Sequence, residues 1–118
     1  VLDLVNEERA KAGVSPLTLN QKAVSAAQVR AQEIAVNFSH TRPDGTGYST
    51  ALKAAGLNFT RSGENIAYGQ RSAEAVMNSW MNSSGHRANI LSSQYDSIGI
   101  GHYQNASGVN YWVQLFVK

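Results

Sequence analysis

The chain has 118 residues, a length that suits one domain built around one hydrophobic core. A charged fraction of 15% excludes disorder driven by charge repulsion. The net charge is only +2 and the ten Lys and Arg residues are scattered, which argues against a nucleic-acid partner. No apolar run approaches the roughly 20 residues of a transmembrane segment. Without cysteine, disulfide bonds and thiolate metal sites are excluded, and the start at Val1 inside a helical pattern suggests a processed domain.

Helical patterns dominate the first half of the chain. Apolar and then charged residues before Gly13 predict a first helix over residues 1–12. Asn20 is a candidate N-cap for a longer second helix. Its apolar stripe is expected to contain Ala23, Ala27, Ala31, Ile34 and Phe38. Residues 39–47 are rich in Ser, Thr, Pro, Asp and Gly and predict a loop, followed by a short helix over residues 49–55.

The second half combines helices with strands. Residues 56–69 form a less regular stretch, Ser72 is a candidate cap for the next helix, and a short helical turn is expected over residues 86–91. Two strands, residues 95–103 and 111–117, are joined by a turn of hairpin length and are predicted to be antiparallel. The last strand is apolar on both sides. The pattern therefore predicts a three-layer α/β/α sandwich, with a small, mainly antiparallel sheet covered by helices on both faces.

Three side chains are candidates for chemistry: His40, Glu64 and His86. Each lies in a polar, glycine-flanked segment that we interpret as a loop, and loops on a rigid scaffold commonly carry functional sites. Histidine can bind a metal or transfer protons, and a carboxylate can be a third ligand, a base or the partner that orients an imidazole. The separations of 24 residues (40 to 64) and 22 residues (64 to 86) match no short metal motif. Spacing alone leaves open the alternative that each side chain braces its own loop.

Four pieces of the sequence resemble one family when they are taken in order. They are residues 39–45, Gly63-Glu64-Asn65-Ile66-Ala67, residues 80–91 and Ile98-Gly99-Ile100-Gly101. With them, the whole of residues 1–118 resembles a single SCP-like domain of the CAP superfamily (cysteine-rich secretory, antigen 5 and pathogenesis-related proteins), in its bacterial, cysteine-free form.

This resemblance implies an α/β/α sandwich with a central cleft, in which histidines and acidic residues face one another and can hold a divalent cation, often zinc. The family's histidines correspond to His40 and His86, and the glutamate of its Gly-Glu-Asn motif corresponds to Glu64. These three residues are the expected metal ligands. Together with Asn65 and Ser83, they are the expected ligand-binding cleft.

Ser83 marks a departure from the family pattern. Many animal and plant relatives carry a second glutamate three residues after the helix tryptophan, where this chain has Ser83 after Trp80. One carboxylate of the family's set is therefore missing. At most three protein ligands remain for zinc or another divalent cation, with water in the fourth position of an open site.

Three functions are compatible with this resemblance. The first is a secreted or cell-surface module whose cleft binds an extracellular ligand of unspecified class, with or without a cation. The second is a hydrolase of peptide or cell-wall substrates that uses a metal-activated water or a serine, Ser39 or Ser83, beside a histidine. No strained serine elbow or His-Glu-x-x-His motif supports it. The third is a sterol or fatty-acid carrier, for which the sequence shows no long apolar loop.

Two polar residues on the predicted strands are assigned separately. His102 lies near a strand end, and we expect a surface or supporting position rather than a place in the site. Gln114 interrupts an apolar strand. Burying its amide without partners would cost ~1 to 3 kcal/mol, so we expect it to bond to backbone or to the rim of the pocket.

Overall fold

The computed structural model describes residues 1–118 and contains five helices and four strands. The helices are α1 (Leu2–Lys11), α2 (Gln21–Val36), α3 (Ser49–Ala54), α4 (Ala73–Met81) and α5 (Ser84–Leu91). The strands are β1 (Thr18–Leu19), β2 (Ser62–Tyr68), β3 (Ser97–Gln104) and β4 (Asn110–Val117). The predicted helices and the predicted hairpin are confirmed. None of the helices is long and apolar enough to cross a membrane.

Local signals explain where two of the helices begin. The side chain of Asn20 accepts a hydrogen bond from the backbone N–H of Ala23 at 3.1 Å, which caps α2. Ser72 accepts one from the N–H of Ala75 at the same distance and caps α4. Both caps occupy the positions that the sequence predicts. Phe38, however, lies beyond the end of α2 and is 45% exposed, so it does not extend the buried stripe of that helix.

The four strands form one sheet in the order β1-β3-β4-β2. β4 pairs antiparallel with both β3 and β2, and only the short β1 is parallel to its neighbour. Two of these strands were not predicted. β1 was missed, and residues 62–68, expected to be irregular, form the edge strand β2 along the full length of β4.

Helices cover both faces of this sheet, as the sequence predicts. Alternate residues of β4 point to opposite faces. Val113, Leu115 and Val117 pack with α2 and α3, whereas Phe116 packs with α1, α4 and α5. The molecule is therefore a three-layer α/β/α sandwich with two hydrophobic cores, one on each side of the sheet.

Glycines in β3 allow α2 to lie unusually close to the sheet. A Cβ atom on Gly99 would collide with the backbone carbonyl of Ala23, and one on Gly101 would collide with that of Ala27. Ile98 and Ile100 point to the other side of the same strand and pack in the core beneath α1, α4 and α5. The Ile-Gly alternation thus sets the spacing between α2 and the sheet.

Candidate functional site

The candidate site is organised around the edge strand β2. Adjacent residues of a strand point to opposite faces, so Glu64 faces α2 while Asn65 faces α5. Both side chains are buried. Glu64 and Asn65 thus lie on a strand and not in the predicted loop. Through their side chains, two adjacent residues contact both helical layers at the edge of the sheet.

On the α2 side, the Glu64 carboxylate is bound by two cationic or protonatable groups. Arg30 of α2, which is fully buried, donates from Nε to Oε2 at 2.8 Å and from Nη2 to Oε1 at 3.1 Å. His40 contributes its Nδ1, 2.8 Å from Oε1. Because a carboxylate only accepts hydrogen bonds, Nδ1 carries the proton, and the Nε2 of a neutral His40 ring is an acceptor. Arg30 also donates to the carbonyl of Ser39 at 2.6 Å, which fixes the segment that carries His40.

The charges continue outward from this pair in alternating sign. Arg30 Nη1 donates to Glu33 at 2.9 Å, and Glu33 accepts three contacts from Arg42, the shortest at 2.8 Å. Burial alone would lower the pKa of Arg30, but its bonds to Glu64 and Glu33 outweigh burial and raise that pKa. Burial alone would raise the pKa of Glu33, and the bonds from Arg42 and Arg30 lower it instead. Two cations and two anions balance, so the network adds no net charge to the site.

On the α5 side, Asn65 holds the backbone of His86 in place. Its Nδ2 donates to the His86 carbonyl at 3.1 Å and to Gln114 Oε1 at 3.0 Å, while its Oδ1 accepts from Asn89 at 2.9 Å. Asn65 is fully buried, so it positions α5 and does not line the cleft. Gln114 also donates from Nε2 to the sulfur of Met77 at 3.8 Å, so its amide is paired with two side chains rather than with backbone, and these contacts explain a polar residue inside an apolar strand.

His86 lies in the first turn of α5 rather than in a loop. Its Nδ1 is 2.8 Å from the hydroxyl oxygen of Ser83, the residue that precedes the helix. Burial lowers the pKa of His86, and the charge that His40 can carry lowers it further. His86 is therefore held in its neutral form at neutral pH, with Ser83 beside it.

His40 and His86 both line one open cleft. The cleft has a volume of about 510 Å³, within the range of roughly 300 to 1,000 Å³ of small-molecule sites. Its other lining residues are Phe38, Ser39, Ile66, Ala67, Tyr68 and Gln70. Glu64 and Asn65 lie beneath this surface and Ser83 contacts it through His86. The predicted residues are thus near one another, with His40 and His86 at the surface of the cleft and Glu64 and Asn65 buried beneath it.

The side chain of Gln70 has an unsatisfied acceptor at the wall of the cleft. Its Oε1 is enclosed and has no hydrogen-bond partner, a state that costs ~1 to 3 kcal/mol in a folded protein. The amide nitrogen of the same side chain makes one long contact of 3.4 Å, to Ser79. Gln70 was missed in the sequence because nothing near it in the chain distinguishes it from an ordinary loop glutamine.

The three expected metal ligands do not form a coordination set. No group of three or more His, Asp and Glu side chains is placed so that it could hold one metal ion. The physical reason is that both oxygens of Glu64 are bound by Arg30, and one of them also by His40. A three-ligand site of His40, His86 and Glu64 therefore does not fit this arrangement. Binding of zinc or another divalent cation in the cleft stays a prediction.

Arg30 supports the cleft from beneath and was not predicted from the sequence, although its position carries a signal. It follows Ala27 by three positions and precedes Ile34 by four, so it falls on the buried stripe of α2. A fully buried arginine is rare unless it is paired. His102, by contrast, is exposed as predicted, contacts Asn110 and Trp112, and does not line the cleft.

The chain is similar in sequence to known proteins of one family. The chain matches the cysteine-rich secretory protein family, abbreviated CAP, over residues 2–116. It is 35% identical over 119 residues to the uncharacterized protein YkwD, and 32% identical over 120 residues to the uncharacterized membrane protein YlbC, both from Bacillus subtilis strain 168. The matches cover 99% and 100% of this chain but 45% and 33% of those proteins. The chain therefore spans less than half the length of these curated relatives.

Solved structures share the fold. An extracellular SCP-domain protein from Bacillus anthracis strain Ames superposes with a TM-score of 0.91 at 28% identity, covering 99% of this chain and 38% of that one. A cysteine-rich secretory protein from Staphylococcus aureus Mu50 gives 0.80 at 25% identity, covering 98% and 36%. An outer surface protein from Borrelia burgdorferi gives 0.89 at 24% identity, covering 99% and 88%, a likeness of fold alone.

Proposed function

Since this chain belongs to the cysteine-rich secretory protein (CAP) family, we propose that it is a secreted or cell-surface binding module whose cleft recognises an extracellular ligand. The observation that carries the proposal is the cleft itself, where His40 and His86 come from different layers and line one open surface. Because Arg30 and Asn65 fix the segments behind them, these side chains are preorganised for binding.

Extracellular placement is supported by two relatives. The protein from Bacillus anthracis is described as extracellular and the one from Staphylococcus aureus as secretory. Fractionation of the native organism tests the placement directly. We expect the protein in the culture medium or the cell envelope, and detection in the cytoplasm alone would contradict the proposal.

Ligand recognition is tested with a mixed collection of peptides, saccharides and fatty acids, by thermal shift followed by calorimetry. The wild type is compared with Tyr68→Ala and His86→Ala in the cleft. Val29→Ala, on an exposed part of α2 outside the cleft lining, is the matched control. Compounds that bind the wild type and Val29→Ala more tightly than the cleft variants support the proposal. If no compound distinguishes these proteins, the cleft is not a binding site.

A hydrolase is the second candidate, and the contact between Ser83 and His86 is the observation that favours it. A neutral His86 could take the hydroxyl proton while Oγ adds to a substrate carbonyl, and later return that proton to the leaving group. Glu64, however, orients His40 rather than His86, so the pair lacks the third member of a triad. Ser39 is a weaker nucleophile candidate because its hydroxyl oxygen accepts the backbone N–H of Thr41 at 3.0 Å.

Hydrolysis is tested with activated esters and short peptides. Turnover that is lost in Ser83→Ala and kept in Ser84→Ala, the exposed neighbour, would support this second candidate. Equal turnover by the wild type and Ser83→Ala would eliminate it without affecting the binding proposal.

A further inference from the structure

The cleft carries no fixed charge. Its eight lining residues include no Lys, Arg, Asp or Glu. The nearest carboxylate, that of Glu64, lies beneath the surface and is neutralised by Arg30. A charged ligand would therefore lose its hydration without gaining a partner of opposite charge, which is unfavourable. The lining favours a neutral ligand.

Two polar atoms of the cleft lining can accept hydrogen bonds from a ligand. In a neutral His40, Nδ1–H is used by Glu64 and Nε2 is left as an acceptor in a half-exposed ring. Gln70 Oε1 has no partner, and its side chain is held only by the long contact to Ser79, so a rotation of the side chain can present this oxygen to the cleft. A matching ligand carries several O–H or N–H donors.

Aromatic rings adjoin these acceptors. Tyr68 is 54% exposed and lies edge-on to Phe38, with ring centroids 4.8 Å apart. Tyr68, Tyr111 and Tyr103 occupy paired positions on β2, β4 and β3, so the tyrosines form a row across three neighbouring strands. The row begins in the cleft and continues along a groove lined by Phe38, Tyr68 and Tyr111. Such faces suit a ligand that has a flat apolar side.

We infer that this cleft binds a neutral saccharide, whose hydroxyl groups donate to His40 and Gln70 while an apolar C–H face lies against the Tyr68 ring. The inference rests on the proposed function and names its ligand class. A sugar ring combines a rim of donors with an apolar face, which are the two properties that the lining selects.

An extended peptide fits less well because the open edge of β2 is already occupied. The carbonyls of Ser62, Glu64 and Ile66 accept hydrogen bonds in turn from Tyr95, Asn89 and Trp80. A peptide adding to this edge would have to displace those side chains, since strand addition depends on free main-chain groups. The edge of the sheet therefore frames the cleft without offering a pairing strand.

The test is an NMR titration of the isotope-labelled 118-residue chain with neutral disaccharides: diacetylchitobiose, cellobiose, maltose and lactose. A proline-rich decapeptide and palmitate are titrated in parallel. For at least one disaccharide we expect saturable shifts at Phe38, His40, Tyr68 and Gln70. Tyr68→Ala should weaken binding about tenfold and Tyr68→Phe, which keeps the ring, by much less, whereas Val29→Ala should bind like the wild type.

The outcomes separate this inference from the proposal on which it rests. Binding of the decapeptide or palmitate in the cleft, with no shift from any disaccharide, would overturn the saccharide inference and leave a binding module. Disaccharide binding by Tyr68→Ala with the affinity of the wild type would also overturn it. An absence of cleft shifts with every probe would count against both.

Discussion

At the scale of single residues, Glu64 stabilises two neighbours of different character. Its carboxylate balances the buried Arg30 guanidinium and orients the ring of His40, and all of its contacts lie between 2.8 and 3.1 Å. Ions cost several kcal/mol each to bury, and the cost is offset only when geometry and pairing are good. Glu64 therefore has a structural task that is independent of any ligand.

Replacing Glu64 with Gln tests this task. The change leaves Arg30 buried with no carboxylate on the sheet side, and we expect the free energy of unfolding to fall by about 3 to 5 kcal/mol. Urea unfolding at constant slope measures the loss. Glu74→Gln, at an exposed position of α4, is the control and should change stability by no more than about 0.5 kcal/mol. Equal midpoints for the two variants would show that the buried pair is not formed.

Glu33 makes stability depend on pH. Bonds from Arg42 and Arg30 lower its pKa in the folded state despite burial, so its contribution is fully present above the unfolded value of about 4.3. That contribution is lost as the pH falls through the lower folded-state pKa, because the unfolded chain binds the proton more readily. Glu33→Gln should cost about 1 to 3 kcal/mol at pH 7.

Unfolding free energies measured from pH 7 to pH 3 check this dependence. The wild type should lose stability more steeply than Glu33→Gln below about pH 4.3. Glu7→Gln, an exposed residue of α1, should follow the wild type. Parallel curves for the wild type and Glu33→Gln would contradict the ion pairs described between α2 and Arg42.

At the scale of helices and strands, contacts of α2 with the sheet determine where the cleft forms. α2 packs against β3 through the glycine positions, and its Arg30 then reaches Glu64 on β2 across β4. His40 lies shortly after the C-terminal end of α2. Close packing of α2 is therefore a requirement for placing His40 at the edge of the sheet.

A pair of glycine substitutions tests this packing. Gly99→Ala would place a methyl group against the backbone of Ala23, and we expect a loss of about 3 kcal/mol or more, since backbone cannot move aside as a side chain can. Gly85→Ala in α5 meets no atom within 4 Å and should stabilise the protein by about 0.5 to 1 kcal/mol. Thermal and urea unfolding measure both. A neutral Gly99→Ala would mean that α2 lies farther from β3.

The same elements show what could be predicted from the sequence. The caps Asn20 and Ser72 are local signals, and both predictions are confirmed. β2 was missed because Glu64 and Asn65 are polar and a buried strand is normally apolar. Their partners, Arg30 and Gln114, are 34 and 49 residues away along the chain. No local pattern therefore indicates that these polar side chains have hydrogen-bond partners.

At the scale of the whole molecule, the cleft opens where the two helical layers meet around the β2 edge of the sheet. One wall comes from the segment after α2 and the other from α5, and β2 forms the floor between them. The family resemblance implies that His40 and His86 share a cleft, and both residues are among those that line this one. The pairing of Glu64 with Arg30 could not be predicted, because Arg30 lies in a different layer of the fold.

A crystal structure of the protein grown at neutral pH with zinc, with anomalous data collected at the zinc edge, tests the account most directly. We predict that Glu64 keeps both hydrogen bonds to Arg30 and that any anomalous peak in the cleft is bound by imidazole nitrogens alone. A zinc peak about 2.0 to 2.2 Å from a Glu64 oxygen, with Arg30 turned away, would contradict the account.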